Sequence, residues 1–229
     1  MTRRLEGAMP PNSTDYARDP GSGHTDCESQ GSTDPHMPNA CPAPLLKGLP
    51  PILGDEARVL VLGSMPGAES LRRREYYGHP RNHFWRLMQD LYLIPRDMPY
   101  GVRVEALRGA GVAVWDVLAS CHREGSLDAA IDRASMRVNP IDSLVRSQPR
   151  IERIVFNGAF AEQVYRACIR TQVEAVRPVA TVRLPSTSPA NASFSYERKL
   201  AAWRAGLLPG TGTEVATAFP TPPAKRGKP

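Results

Sequence analysis

Four short apolar runs recur along the chain: RVLVLG (58–63), GVAVWDV (111–117), IERIVFNG (151–158) and VATVRLP (179–185). Each is nearly continuous and rich in β-branched residues, the pattern of a strand buried on both faces. Helical patterns lie between and after them. NHFWRLMQDLYLI (82–94) sets Phe84, Leu87, Met88, Leu91 and Ile94 at helical spacing, AFAEQVYRACIR (159–170) follows the third run, and SYERKLAAWRAGL (195–207) closes the series. Strands joined through helices require right-handed crossovers and a parallel sheet covered on both sides. The expected fold is therefore α/β: a single three-layer α/β/α domain around a central four-stranded parallel sheet, spanning residues 44–208.

The flanks read differently. Residues 1–43 are dominated by Pro, Ser, Gly, Asp and Thr without hydrophobic period, and 209–229 form a similar segment ending in AKRGKP. Both are expected to be disordered, because neither can bury enough apolar surface to offset chain entropy. Charge follows the same division. The first 43 residues carry 3 basic and 6 acidic side chains, whereas residues 44–208 carry 23 and 16, with 21 of those 23 cations arginine. An arginine-rich, basic domain suits a phosphate-bearing partner, since guanidinium forks pair with phosphate oxygens. Ordinary solvated faces in an arginine-rich proteome would look the same, so charge alone does not decide.

Several function classes are disfavoured. Cys27, Cys41, Cys121 and Cys168 show no C-x-x-C spacing, so neither a metal site nor an iron–sulfur cluster nor a disulfide framework is expected. No 18-residue apolar run suggests a membrane span, and the N-terminal arginines precede no apolar segment of a signal peptide. The expected location is cytoplasmic, of a bacterial type and nucleoid-associated, and the expected state is a monomer.

Open parallel sheets bind ligands outside the carboxyl ends of their strands. Here those ends run into GSMPG (63–67), WDV (115–117), NG (157–158) and LPSTSPAN (184–191). Gly63 and Gly67 allow a backbone approach that a Cβ would block, although a tight strand-to-helix turn needs no more. The segment lacks the glycine signatures of dinucleotide or nucleoside triphosphate sites. YYGHPRN (76–82) offers a tyrosine face on which a nucleobase can stack and, in Asn82, a donor and an acceptor that could read a base edge. Asn82 is equally a natural N-cap for the helix that follows, and the two roles are compatible. The hydroxyls of LPSTSPAN suit a DNA phosphate, and Asp116 could bond a base, orient water or cap the next segment.

In order and spacing, these pieces resemble the uracil-DNA glycosylase superfamily, most closely its hypoxanthine-DNA glycosylase branch, over about residues 45–207. GSMPG stands in the place of the superfamily's first motif, HPRNHFW is similar to the H-P-x-N-R-F-W of mismatch-specific uracil glycosylases, and LPSTSPAN stands in the place of the second motif. The resemblance implies that Tyr77 stacks on a flipped base and that Gly63, Ser64, Met65, Asn82 and Asp116 surround it. Asn82, Ser64 and Asp116 would then be catalytic. Pro66, Gly67, His79, Arg81, Ser186, Ser188, Pro189 and Asn191 would hold the DNA strand.

Three departures from the family pattern bear on mechanism. Met65 occupies the place of the water-orienting Asp or Asn, Ser186 that of a His or Asn, and Ala190 that of a bulkier wedge. Hydrolysis must then lean on Asn82, Asp116 or backbone groups. The resemblance implies a monofunctional DNA glycosylase without metal or cofactor, acting on damaged DNA and preferring hypoxanthine. A uracil or broad deaminated-base glycosylase of the same fold, and a lesion-binding protein without catalysis, remain open at this point.

Overall fold

The computed structural model describes residues 43–208; the expectations for residues 1–42 and 209–229 lie outside them. In chain order the strands are β1 (Leu45–Lys47), β2 (Val59–Gly63), β3 (Val112–Asp116), β4 (Leu118–His122), β5 (Arg137–Val138), β6 (Arg153–Asn157) and β7 (Ala180–Leu184). The helices are α1 (Ala68–Arg73), α2 (Phe84–Tyr92), α3 (Tyr100–Gly109), α4 (Ile141–Ser147), α5 (Ala159–Cys168), α6 (Arg170–Val176) and α7 (Tyr196–Leu207).

The four apolar runs form one parallel sheet in the order β3-β2-β6-β7. Side chains alternate across a strand, so β2 feeds two cores. Leu60 and Leu62 join Ala113, Ile154 and Phe156 under α4, α5 and α6, where Leu144, Val145, Val164 and Val173 close the layer. Val59 and Val61 join Val112, Val114 and Val155 on the other face, against Phe84, Leu87 and Met88 of α2, Val104 and Leu107 of α3, and Trp203 of α7. Each such buried aliphatic side chain contributes about 1.5–3 kcal/mol relative to exposure. This explains why the runs are apolar throughout.

The sequence reading differs from the structure in several places. The second run does not continue as a strand through Val117. After Asp116 the chain bends, with Val117 N–H bonded to Gly63 O and Leu118 N–H to Ser64 O, and β4 leaves to pair with β1 and β5 in a separate antiparallel sheet. That sheet was not anticipated, because LLK, LASCH and RV carry no strong strand pattern and pair only with distant segments. The helix expected over 159–170 breaks at Ile169 into α5 and α6. The first amphipathic helix begins at Phe84 instead of Asn82. Lastly, α1, α3 and α4 escaped notice: α1 and α4 are only 6 and 7 residues long, and YGVRVEALRG of α3 buries only Val104 and Leu107 and has glycine near both ends.

The topology places the site. From β2 the chain crosses to β3 on one side, whereas β6 and β7 build outward on the other. The connections leaving the carboxyl ends of β2 and β6 therefore diverge, opening a crevice above the sheet.

Candidate active site

A cavity of about 440 Å³ lies at that crevice, a size typical of small-ligand sites. Its wall comes from the ends of all four parallel strands: Gly63 to Gly67 after β2, Asp116 on β3, Asn157 on β6 and Ser186 to Asn191 after β7. Tyr77, His79 and Asn82 close it from the segment before α2. Of the residues singled out by the sequence, Arg81 alone does not line the cavity; it is exposed at the edge.

Gly63 is glycine because of close approach. A Cβ there would lie 2.3 Å from Asp116 Oδ1 and 3.4 Å from the Tyr77 hydroxyl oxygen. Asp116 itself is 3% exposed, and its Oδ2 is buried without a hydrogen-bond partner. Burial, and then the neighbouring Asp128, push its carboxyl up to about 8 against the opposing pull of Arg123. An uncompensated buried carboxylate is costly, so the group holds its proton instead. Burial thus favours the neutral acid form of Asp116 at the cavity wall.

Tyr77 and Tyr76 separate in role. Tyr76 is a core residue: its hydroxyl donates to Leu49 O (3.0 Å), its N–H donates to the Tyr100 hydroxyl (3.0 Å) and its carbonyl accepts from Trp85 Nε1 (2.9 Å). The paired tyrosines therefore supply a single platform. Tyr77 takes a left-handed backbone at φ 55°, uncommon for a bulky residue and a mark of local strain. Its ring stacks on Phe84 with centroids 4.0 Å apart and planes 26° apart. The buried hydroxyl lies near Asn157 but makes no geometrically sound hydrogen bond.

Asn82 lines the cavity, but the N-cap position of α2 is His83, one residue later than the sequence suggested. Asn82 Oδ1 accepts from Phe84 N–H (2.9 Å), capping the first turn of α2, while its own N–H donates to His79 O (2.8 Å). With the oxygen so engaged, the amide hydrogens are what it has to offer a ligand. His79 Nδ1 in turn accepts from Arg81 N–H (3.1 Å), tightening the HPRN turn.

The loop after β7 is held at several points. Thr187 is fully buried and bonds Asn157 twice, and Thr187 O accepts from His83 N–H (3.0 Å). Ser186 Oγ accepts from Ser188 N–H and Ser188 Oγ from Ala190 N–H, leaving both hydroxyl hydrogens to face outward partners. Asn191 is braced at its carbonyl by the buried Lys199 (2.9 Å), and Trp203 Nε1 donates to Pro185 O (2.9 Å). α7 is thus the foundation of this loop.

One whole wall was invisible in the sequence. Residues 123–129, after β4, fold over the GSMPG turn. Arg123 is 1% exposed and donates to the carbonyls of Pro66, Met65 (3.4 Å) and Gly125 (3.2 Å). Ser126 Oγ accepts from Ala68 N–H (3.0 Å), and Ser64 Oγ donates to Asp128 Oδ1 (2.7 Å). No motif marks these residues, since HREGSLD resembles an ordinary polar loop. Met65, expected beside the base, keeps its side chain in the hydrophobic core at 5% exposure and only borders the cavity. Among the described residues no group of three His, Cys, Asp or Glu side chains is arranged to hold a metal ion, and no helix is long and apolar enough to cross a membrane.

Comparison with known proteins gives a consistent set of relatives. Residues 50–207 match the family model described as the uracil DNA glycosylase superfamily. A hypoxanthine DNA glycosylase of Methanosarcina acetivorans is 34% identical over 158 residues, covering 67% of this chain and 92% of that protein. A hypoxanthine DNA glycosylase of Methanosarcina barkeri is 36% identical over 115 residues, covering 49% of this chain and 70% of that protein. Among solved structures, the solution NMR structure of a candidate uracil DNA glycosylase from M. acetivorans superposes with a TM-score of 0.60 at 34% identity, covering 71% of this chain and 96% of that one.

Proposed function

Because the chain belongs to the uracil DNA glycosylase superfamily, we propose that it is a DNA-deoxyinosine glycosylase, hydrolysing the N-glycosidic bond of hypoxanthine in DNA to leave an abasic site. The observation that carries this reading is the convergence of Tyr77, Asn82 and a protonated Asp116 on one cavity at the carboxyl ends of the sheet. It is reinforced by the two Methanosarcina relatives, both hypoxanthine DNA glycosylases.

A base in duplex DNA is reached only by rotating it out of the stack, at a cost of a few kcal/mol that is least for a weak pair. The purine stacks on the face of Tyr77 turned away from Phe84, where stacking contributes about 1–3 kcal/mol. The Asn82 amide and the Asp116 hydroxyl then donate to its acceptor atoms. Hypoxanthine departs more readily than adenine because its O6 takes up developing negative charge, and donors fixed in advance around a dry cavity stabilise that charge. Ser186, Ser188, Pro189 and Asn191 on one rim, with Pro66, Gly67, His79 and the exposed Arg81 on the other, hold the strand by its phosphates. Among the described residues no lysine lines the cavity, and the Lys199 amine is engaged with Asn191 O. The reading is accordingly a monofunctional glycosylase without Schiff-base chemistry. It acts as a monomer in the cytosol, with no metal or cofactor.

The test is single-turnover excision on duplexes carrying one inosine, uracil, xanthine or adenine, with EDTA present. Alkali-labile product at inosine, faster than at uracil, is expected. Uracil faster than inosine would make it a uracil enzyme, and binding without product at any lesion would make it a lesion sensor.

A further inference from the structure

We propose that Asp128 holds the attacking water, supplying from the loop after β4 the carboxylate that the GSMPG turn lacks. The inference rests on the glycosylase reading above and adds a catalytic residue that the motifs do not contain. Met65 stands where a water-orienting polar group would be needed, and its thioether is packed into the core. Among the described residues, the carboxylates that line the cavity are Glu69, Asp116 and Asp128. Glu69 is bound by Arg72 and Arg73 on the surface of α1. Asp116 is 97% buried, with an unpartnered oxygen at the cavity wall. Asp128 is half-buried, and its Oδ1 accepts from Ser64 Oγ at 2.7 Å.

Two carboxyl groups in one water-poor site do not both ionise easily, so their environments divide the labour. Asp116 has no donor for its Oδ2 and keeps a proton. Burial raises the Asp128 carboxyl, opposed first by the Ser64 hydroxyl, a donor that Asp116 Oδ2 lacks, and then by the Arg123 cation. Among the described residues, Tyr76 and Tyr77 also face Asp116, and Cys121 faces Asp128 and Arg123. This is the arrangement of an acid beside a base, as glycoside hydrolysis requires. The C1′–N9 bond breaks with its electron pair passing to the purine, which takes the Asp116 proton. The water oxygen bonds to C1′ and gives its proton to Asp128. Exchange with solvent then restores both groups.

Asp128→Asn keeps the shape and an oxygen for Ser64 but removes the base. Single-turnover excision of inosine should fall by about 100-fold or more, while binding to uncleaved inosine duplex holds or tightens because a negative charge near DNA is gone. In Asp128→Ala, added formate should restore part of the lost rate. A rate for Asp128→Asn within about threefold of the unaltered protein, with Asn82→Ala inactive under the same conditions, would overturn the role of Asp128 and leave the glycosylase reading standing. Loss of rate together with loss of binding, without formate rescue, would also overturn it in favour of a structural role. Absence of inosine excision by the unaltered protein would remove both readings.

Discussion

Asn157 and Thr187 bond each other twice across 30 residues of chain: Asn157 Nδ2 donates to Thr187 Oγ1 at 2.9 Å, and Thr187 N–H donates to Asn157 Oδ1 at 2.8 Å. The pair fixes the last residue of β6 to the loop that carries Ser186 and Ser188. Gly158 makes room for it, turning at φ 106° where a Cβ would come within 3.0 Å of Ser186 Cβ.

Replacing Asn157 by Ala strands a buried amide and a buried hydroxyl, each costing about 1–3 kcal/mol when unsatisfied. Denaturant unfolding of Asn157→Ala should show a stability loss of that order. DNA affinity should fall as well, since the loop proposed to hold the DNA phosphates loses its anchor. A variant as stable as the unaltered protein would show that water replaces the side chain.

Gly63→Ala forces a methyl group into the Asp116 carboxyl, 2.3 Å away. The strand cannot yield, because Gly63 is hydrogen-bonded through its carbonyl to Val117 N–H and lies in register with Asp116. Asp116 must therefore turn aside. Inosine excision should drop by about 100-fold, the usual effect of displacing one preorganised group, while circular dichroism stays unchanged.

Asn82→Ala removes the amide donor of the cavity and the cap on Phe84 N–H together. The cap is worth about 1 kcal/mol, a small shift in the unfolding midpoint, whereas excision should become undetectable. Activity within tenfold of the unaltered protein would deny Asn82 its role at the base.

Asp116 makes stability depend on pH. Its carboxyl titrates near 8 in the folded chain, against an ordinary value near 4 when unfolded. Between those values the folded state binds the extra proton, so the contribution is fully present at low pH and is lost as pH rises toward and through 8. Relative to Asp116→Asn, the unaltered protein should lose on the order of a few kcal/mol from pH 5 to pH 9. Excision should decline over the same alkaline limb, because an ionised Asp116 no longer donates. Parallel unfolding curves for the two proteins across that range would contradict the buried acid.

Much of the architecture could be read from local pattern. RVLVLG and IERIVFNG are strands because their continuous apolar character suits a sheet covered on both faces, and both sit at its centre. The positions of Gly63 and Ser186 at strand ends followed from the same reasoning, whereas Tyr77 and Asn82 were singled out by the YYGHPRN segment and the family resemblance. The small antiparallel sheet did not, since Leu45–Lys47 and Leu118–His122 become strands only by finding each other across more than 70 residues. Nor did the wall built from Arg123, Ser126 and Asp128, where the residue types are those of any surface turn.

By itself, then, the sequence determined the four parallel strands, their layers and the end of the sheet at which the cavity opens. These depend on side-chain period and turn chemistry within a few residues. Tertiary structure alone decided that Tyr76 enters the core while Tyr77 faces the cavity, that Asp116 keeps its proton, and that Asp128 meets Ser64 from 64 residues away. Burial, desolvation and pairing are properties of a neighbourhood. Here that neighbourhood is assembled from segments that share no local pattern.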